Sequence, residues 1–204
     1  MYFAEFRLRL KGVRAEQARH QAVIGLHSQL DAGDDVPNQV NVVIEIPRGS
    51  DVKYEIDEKT GFVFVDRFLY TSTHYPFNYG FIPQTKGEDG DPLDALVITE
   101  EPVYPMSVIR SRPIGVLLME DEKGPDAKLV AVPTRHIDPI YSDVETIMQI
   151  PEFVRKQIEH FFSHYKESEP DKFVKIGKWK DAKFAKALII AGLPPRGRNQ
   201  SKKR

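Results

Sequence analysis

From Val40 onward the chain is cut into short β-branched and aromatic runs, each closed by turn-forming residues, and that segmentation limits its architecture more than any other feature. Val40 to Ile46 is a β-branched run ended by Pro47. Val52 to Ile56 alternates and stops at the turn cluster Asp57-Glu58-Lys59-Thr60-Gly61. Phe62 to Phe68 resumes the pattern, so 52–68 reads as a hairpin. Thr71 to Phe81 is aromatic-rich, and Ala95 to Thr99 is an apolar strand. Ser107 to Met119 and Ala127 to Val132 flank a turn over Glu120–Asp126. Many short strands at this spacing indicate a barrel or a sandwich.

After Pro133 the pattern turns helical. Val154, Ile158, Phe161, Phe162 and Tyr165 recur at helical spacing, with Pro151 suited to the first turn and Pro170 to the end. A second helix is expected over Lys180 to Ile190. With 204 residues, one domain is the expectation: an N-terminal extension over 1–22, a body over 23–195 and a basic tail over 196–204. Residues 1–22 are Arg-rich but lack Ser, which weakens a reading as an organellar leader. An over-long start assignment, with the true start near Val23 or Leu26, is the other reading.

The formal charge of −1 conceals a split. The extension carries +3 and the tail +5, whereas the body holds 19 basic and 28 acidic residues, for −9. An acidic body repels nucleic acid and attracts cations. No apolar run approaches the ~20 residues of a membrane span. The absence of Cys excludes disulfide scaffolds, thiolate zinc sites and thiol nucleophiles, and it fits a reducing cytoplasm. No P-loop, GxGxxG, GxSxG or HExxH element is present. His160 and His164 are read as surface or packing residues.

The densest chemical signal is Asp89-Gly-Asp-Pro-Leu-Asp94. In an extended stretch Asp89 and Asp91 project to one side, and the turn can bring Asp94 toward them. Crowded carboxylates repel, so such a site calls for cations; oxygen-only ligands suit Mg²⁺ or Mn²⁺ rather than zinc. A solvated Asp-Gly turn is the plain alternative. Asp121 and Asp126 bracket a turn, where they are either a second acidic pair or an ordinary charged hairpin tip. Lys128 shares the face of Asp126. Lys53 and Glu55 alternate on one strand face. Arg67 lies inside an otherwise apolar strand and requires an anion, either a carboxylate or a ligand. Tyr75, Tyr79 and Tyr165 are either core residues or donors to phosphate oxygens. Carboxylates and metal facing Lys, Arg and Tyr donors suit attack of water on a phosphoryl group.

These segments together resemble a known family. Val43-Ile-Glu-Ile-Pro47, Lys53-Tyr-Glu55, Val65-Asp-Arg-Phe68, Tyr75-Pro-x-Asn-Tyr-Gly80, Asp89-Gly-Asp-Pro-Leu-Asp94, Asp121-Glu-x-x-x-Asp-Ala-Lys128, Lys128-Leu-Val-Ala-Val-Pro133 and His160-Phe-Phe-x-His-Tyr-Lys166 resemble the soluble family I inorganic pyrophosphatases of the prokaryotic branch. The likeness runs in order from about Gly33 to Gly192. It implies a mainly β fold with flanking α: a closed, OB-type, five-stranded β-barrel with helices packed outside. It implies hydrolysis of inorganic pyrophosphate in the cytoplasm, by a homo-oligomer, commonly a hexamer. Several Mg²⁺ ions per site are implied, with Mn²⁺ a substitute. Asp89, Asp94 and Asp126 would hold two activating metals, and Asp121 with Asp126 a metal arriving with substrate. Glu45 and Glu55 would sit around the same cavity. Asp91 would be the catalytic base. Lys53, Arg67, Tyr79, Lys128, Tyr165 and Lys166 would bind the phosphates, with Tyr75 nearby. The alternatives are a metal-dependent hydrolase of another small phosphorylated substrate, and an OB-type module for single strands. The second needs a positive groove with stacking aromatics, which a body of −9 does not offer.

Overall fold

The structure is a computed structural model that describes residues 30–57 and 60–195. The readings of 1–22 as an extension and 196–204 as a tail lie outside the described residues. Among the described residues, eight strands and two α-helices follow in order: β1 (Val40–Ile46), β2 (Val52–Ile56), β3 (Val63–Phe68), β4 (Asn78–Ile82), β5 (Leu93–Val97), β6 (Val108–Asp121), β7 (Gly124–Pro133), α1 (Glu152–His164), β8 (Val174–Asp181) and α2 (Ala182–Gly192).

Five strands close into a ring in the order β1-β4-β5-β7-β6, and β6 returns to pair with β1. All pairs are antiparallel except β5–β7, which is parallel. Closure removes the free edges that an open sheet would present, and it agrees with the barrel expected. The 14-residue β6 makes closure possible. Along one edge it pairs first with β1, through Val108–Ser111, and then with β8, through Gly115–Asp121. Pro113 sits at the changeover, where its missing N–H is not needed, and the register with β7 shifts between Pro113 and Gly115. Gly80 is required where β4 crosses β1, because a Cβ there would lie 1.8 Å from the Val43 carbonyl oxygen.

Neighbouring strand positions face two different cores. Leu93, Ala95 and Val97 of β5 pack with Val42, Ile44, Val116 and Leu129 against Ala185 and Ile189 of α2. Leu96 packs instead with Leu117, Val130, Tyr75 and Phe77 against Ile158, Phe161 and Phe162 of α1. Both faces are therefore buried, which explains why these strands read as continuous apolar runs rather than clean alternations. Each fully buried Leu, Ile or Phe contributes roughly 1.5–3 kcal/mol.

β2 and β3 form a separate two-stranded sheet, the hairpin expected over 52–68. A lone hairpin is marginal in water. This one is tied to the ring by Ile56 N donating to Glu45 Oε1 (2.9 Å), while Leu69 N donating to the Asp51 carbonyl (2.8 Å) closes its own open end.

Several local expectations need correction. The turn between β6 and β7 is only Glu122-Lys123, since both strands continue to Asp121 and Gly124. The segment after Pro133 is not helical at once: it holds two short 3₁₀ turns, Pro139–Tyr141 and Ile147–Gln149, before α1. Helix α1 ends at His164 rather than near Pro170, and tight turns follow, with Glu167 N donating to the His164 carbonyl and Glu169 N to that of Lys166. Strand β8 has no counterpart in the sequence reading. Its alternation breaks between Ile176 and Trp179, where the β6 register shifts and where a Cβ on Gly177 would meet the Leu118 carbonyl at 2.7 Å. Helix α2 accordingly starts at Ala182, not Lys180, with Asp181 capping it by accepting from Phe184 N at 2.9 Å.

Candidate active site

One cavity of about 1170 Å³ opens beside the ring, and all fourteen residues singled out from the sequence line it. Each element supplies its share. Strand β1 brings Glu45, the β2–β3 hairpin brings Lys53, Glu55 and Arg67, and β4 brings Tyr79, with Tyr75 just before it. The turn into β5 brings Asp89 and Asp91, and β5 itself Asp94. The β6–β7 hairpin brings Asp121, Asp126 and Lys128. The end of α1 brings Tyr165 and Lys166.

Asp89-Gly90-Asp91 lies in a turn, and β5 begins at Leu93. Gly90 takes φ of +91°, a left-handed conformation that glycine adopts freely. Asp89 Oδ1 then accepts from Asp91 N at 3.1 Å, and Gly87 N donates to the Asp91 carbonyl at 2.7 Å. The turn expected here is present, in place of the extended backbone that would set Asp89 and Asp91 on one side. Both side chains are exposed at the cavity.

Deeper in the cavity, Lys128 is the electrostatic centre. It is only 4% exposed. Its Nζ lies 2.5 Å from Asp94 Oδ2, 2.6 Å from Asp126 Oδ1 and 3.2 Å from the Tyr79 hydroxyl. Burial opposes the charge, yet the two carboxylates outweigh it and hold the ammonium's pKa well above the usual lysine value. Lys166 makes a second pair with Asp121 Oδ2 at 2.7 Å. Burial of Asp121 works toward protonation, but the bonds from Lys166 and Lys123 N hold its carboxyl below the usual range. Tyr75, Tyr79 and Tyr165 are core and cavity residues at once. They are buried in a ring cluster with Phe161 and Phe162, with Tyr75 and Tyr79 centroids 5.3 Å apart. Burial raises the pKa of all three phenols, so they act as neutral donors.

At the rim, Arg67 meets its required anions as carboxylates: Asp66, and Glu169 through Nε at 2.9 Å. Lys53 pairs with Glu55 and Asp66. His160 and His164 stack on each other on α1, 4.3 Å between centroids, and lie outside the cavity lining.

The carboxylates that line the cavity are oxygen donors without sulfur or imidazole, the set preferred by hard divalent ions. Burial, and then Asp94 and Glu55, push the Glu45 carboxyl up to about 7 against a bond from Ile56 N. Burial likewise raises Asp126 in spite of Lys128. Glu122 Oε2 is buried without a hydrogen-bond partner among the described residues. Such a site is short of positive charge, and a divalent ion fits it by chemistry. Among the described residues no three carboxylate or imidazole groups gather about one point; Lys128 stands between Asp94 and Asp126.

The sequence reading missed five cavity-lining charges: Lys86, Glu122, Lys123, Glu169 and Lys172. Lys172 bonds Glu122 at 2.5 Å, and Glu122 lies 3.6 Å from Lys166. Glu122 follows Asp121 directly, so its neighbour was the available signal. Glu169 and Lys172 lie in a charged loop with no local pattern.

A family model described as inorganic pyrophosphatase matches residues 42–193. The chain is 55% identical over 167 residues to the inorganic pyrophosphatase of Aquifex pyrophilus, covering 82% of this chain and 94% of the relative. It is 56% identical over 161 residues to that of Sulfolobus acidocaldarius, covering 79% and 93%. Among solved structures, the inorganic phosphatase of Anaplasma phagocytophilum superposes with a TM-score of 0.80 at 50% identity, over 81% of this chain and 97% of that one. The inorganic pyrophosphatase of Thermus thermophilus gives 0.78 at 44% identity, over 81% and 95%. With the ring, the cavity and these likenesses in agreement, the chain belongs to the prokaryotic-type family I inorganic pyrophosphatases.

Proposed function

We propose that the chain hydrolyses inorganic diphosphate with water to two orthophosphates, in a reaction that needs Mg²⁺. One observation carries this reading: a single cavity is lined by carboxylates together with Lys, Arg and Tyr donors, the groups that hold divalent ions and a small polyanion. Family membership supports the same chemistry.

Asp89, Asp94, Asp121 and Asp126 would hold the divalent ions, with Glu45 and Glu55 around the same cavity. When bound, such ions acidify the attacking water and neutralise phosphoryl oxygens. Asp91 has no ion-pair partner among the described residues, so its carboxylate is available to accept the proton of that water. Lys53, Arg67, Lys128 and Lys166 take up charge on the diphosphate oxygens. Tyr79 and Tyr165 add hydroxyl donors, and Tyr75 packs behind them. As the bridging P–O bond breaks, the leaving phosphate stays neutralised by the same lysines.

The finer readings go with this one. Mn²⁺ is a substitute ion. The body over 23–195 is the working domain. The family resemblance favours a homohexamer, and the cysteine-free composition favours the cytoplasm. Among the described residues no helix is long and apolar enough to cross a membrane. Phosphate release from diphosphate, with Mg²⁺ and with a chelator, tests the function. Release only with Mg²⁺ is expected. Failure to release phosphate, or release from nucleotides in preference to diphosphate, overturns it.

A further inference from the structure

We propose that Glu169 is a positioning residue: its carboxylate anchors Arg67, and with it the β2–β3 hairpin, across the cavity mouth. The role rests on the diphosphate reading above. The hairpin carries three cavity charges yet belongs to its own two-stranded sheet, separate from the ring. Something must fix the far end of its Arg67 side chain. Asp66 does so only from within the same strand. Glu169 does so from a point 102 residues away, accepting from Arg67 Nε at 2.9 Å.

Glu169 is suited to act as a fixed point. Its side chain is only 10% exposed, and that of Arg67 21%. Its loop is pinned on both sides: Lys166 bonds Asp121 at 2.7 Å, and Lys172 bonds Glu122 at 2.5 Å. Both acceptors lie at the tip of the β6–β7 hairpin, whose strands form part of the ring. Tight turns link the three positions, with Glu169 N donating to the Lys166 carbonyl. The chain of contacts therefore runs from the ring through the loop to Arg67. A guanidinium carries five N–H donors in a rigid fork. With Nε held by Glu169 and Nη1 by Asp66, Nη2 is left for an anion in the cavity. Held this way, the fork loses less freedom when diphosphate binds.

The test uses the full chain with Glu169→Ala, Glu169→Gln and, as a loop control, Glu167→Ala. For Glu169→Ala, KM for diphosphate rises about 3–10-fold while kcat stays within about twofold, the mark of lost binding rather than lost chemistry. Amide hydrogen exchange, measured without substrate, quickens about 3–10-fold in the β2–β3 hairpin and not in the ring. Glu169→Gln keeps the acceptor oxygen and lies nearer to the unaltered protein than to the alanine variant in both readings. Glu167→Ala changes neither. An unchanged KM and exchange rate in Glu169→Ala, a fall confined to kcat, or a Gln variant as impaired as Ala overturns the role. If the unaltered chain releases no phosphate, the functional reading fails, and the exchange measurement still decides whether Glu169 anchors the hairpin.

Discussion

Replacing Lys128 by Met removes a buried cation from between two carboxylates while keeping most of the side chain's volume. Breaking a buried pair by deleting one partner typically costs about 3–5 kcal/mol, because the remaining charge loses its compensation. Two features set the magnitude here. Asp126 is 17% exposed and is hard to hydrate once the ammonium is gone, whereas Asp94 is 31% exposed and can recover some water. The lower end of the range, about 3 kcal/mol, is therefore expected near neutral pH in a chelator. For a domain of this size that corresponds to a fall in Tm of roughly 6–12 °C. Two linked outcomes follow from the same physics. Lowering the pH protonates the stranded carboxylates and narrows the gap to the unaltered protein. Adding Mg²⁺ supplies the missing positive charge and narrows it further, through binding to the folded state alone. Thermal unfolding followed by circular dichroism, across pH and with or without Mg²⁺, reads all three. A variant that unfolds within about 2 °C of the unaltered protein in chelator, less than ~1 kcal/mol, would refute the view of Lys128 as the cation that makes this pocket tolerable.

Two further substitutions probe the same cavity. Asp91→Asn removes the proposed proton acceptor and should lower kcat by about 10²–10⁴-fold in a phosphate-release assay, the range for general acid–base catalysis; near-normal turnover removes Asp91 from that role. Glu45→Gln tests the raised carboxyl. With its folded pKa up at about 7 and the ordinary value at 4.5, the folded state holds a proton that the unfolded chain has released. Stability from this group therefore falls as pH rises from about 4.5 through 7. In chelator the Gln variant should gain Tm relative to the unaltered protein as pH increases through that window, and a pH-independent difference would contradict the burial argument.

Much of the site was legible because its residues come in short, stereochemically restricted segments. Asp89-Gly-Asp-Pro-Leu-Asp94 can be read locally: Gly and Pro announce a turn, and three carboxylates in six positions announce a demand for cations. The closed β architecture was legible too, through β-branched runs at turn-bounded spacing. What escaped was set by long-range geometry. Strand β8 hid because a register shift against β6 breaks its alternation near Gly177. Glu169 hid because its partner lies 102 residues earlier.

By itself the sequence determined which chemical groups the chain carries, where its backbone turns, and that an acidic body must neutralise itself. Only the tertiary structure decided that Lys128 would stand between Asp94 and Asp126, and that Arg67 would be satisfied by Glu169 as well as by Asp66. The physical reason is one of range. Turn propensity and strand pattern act between neighbours, whereas the pairing of buried charges depends on which strands the closed ring brings to the same side.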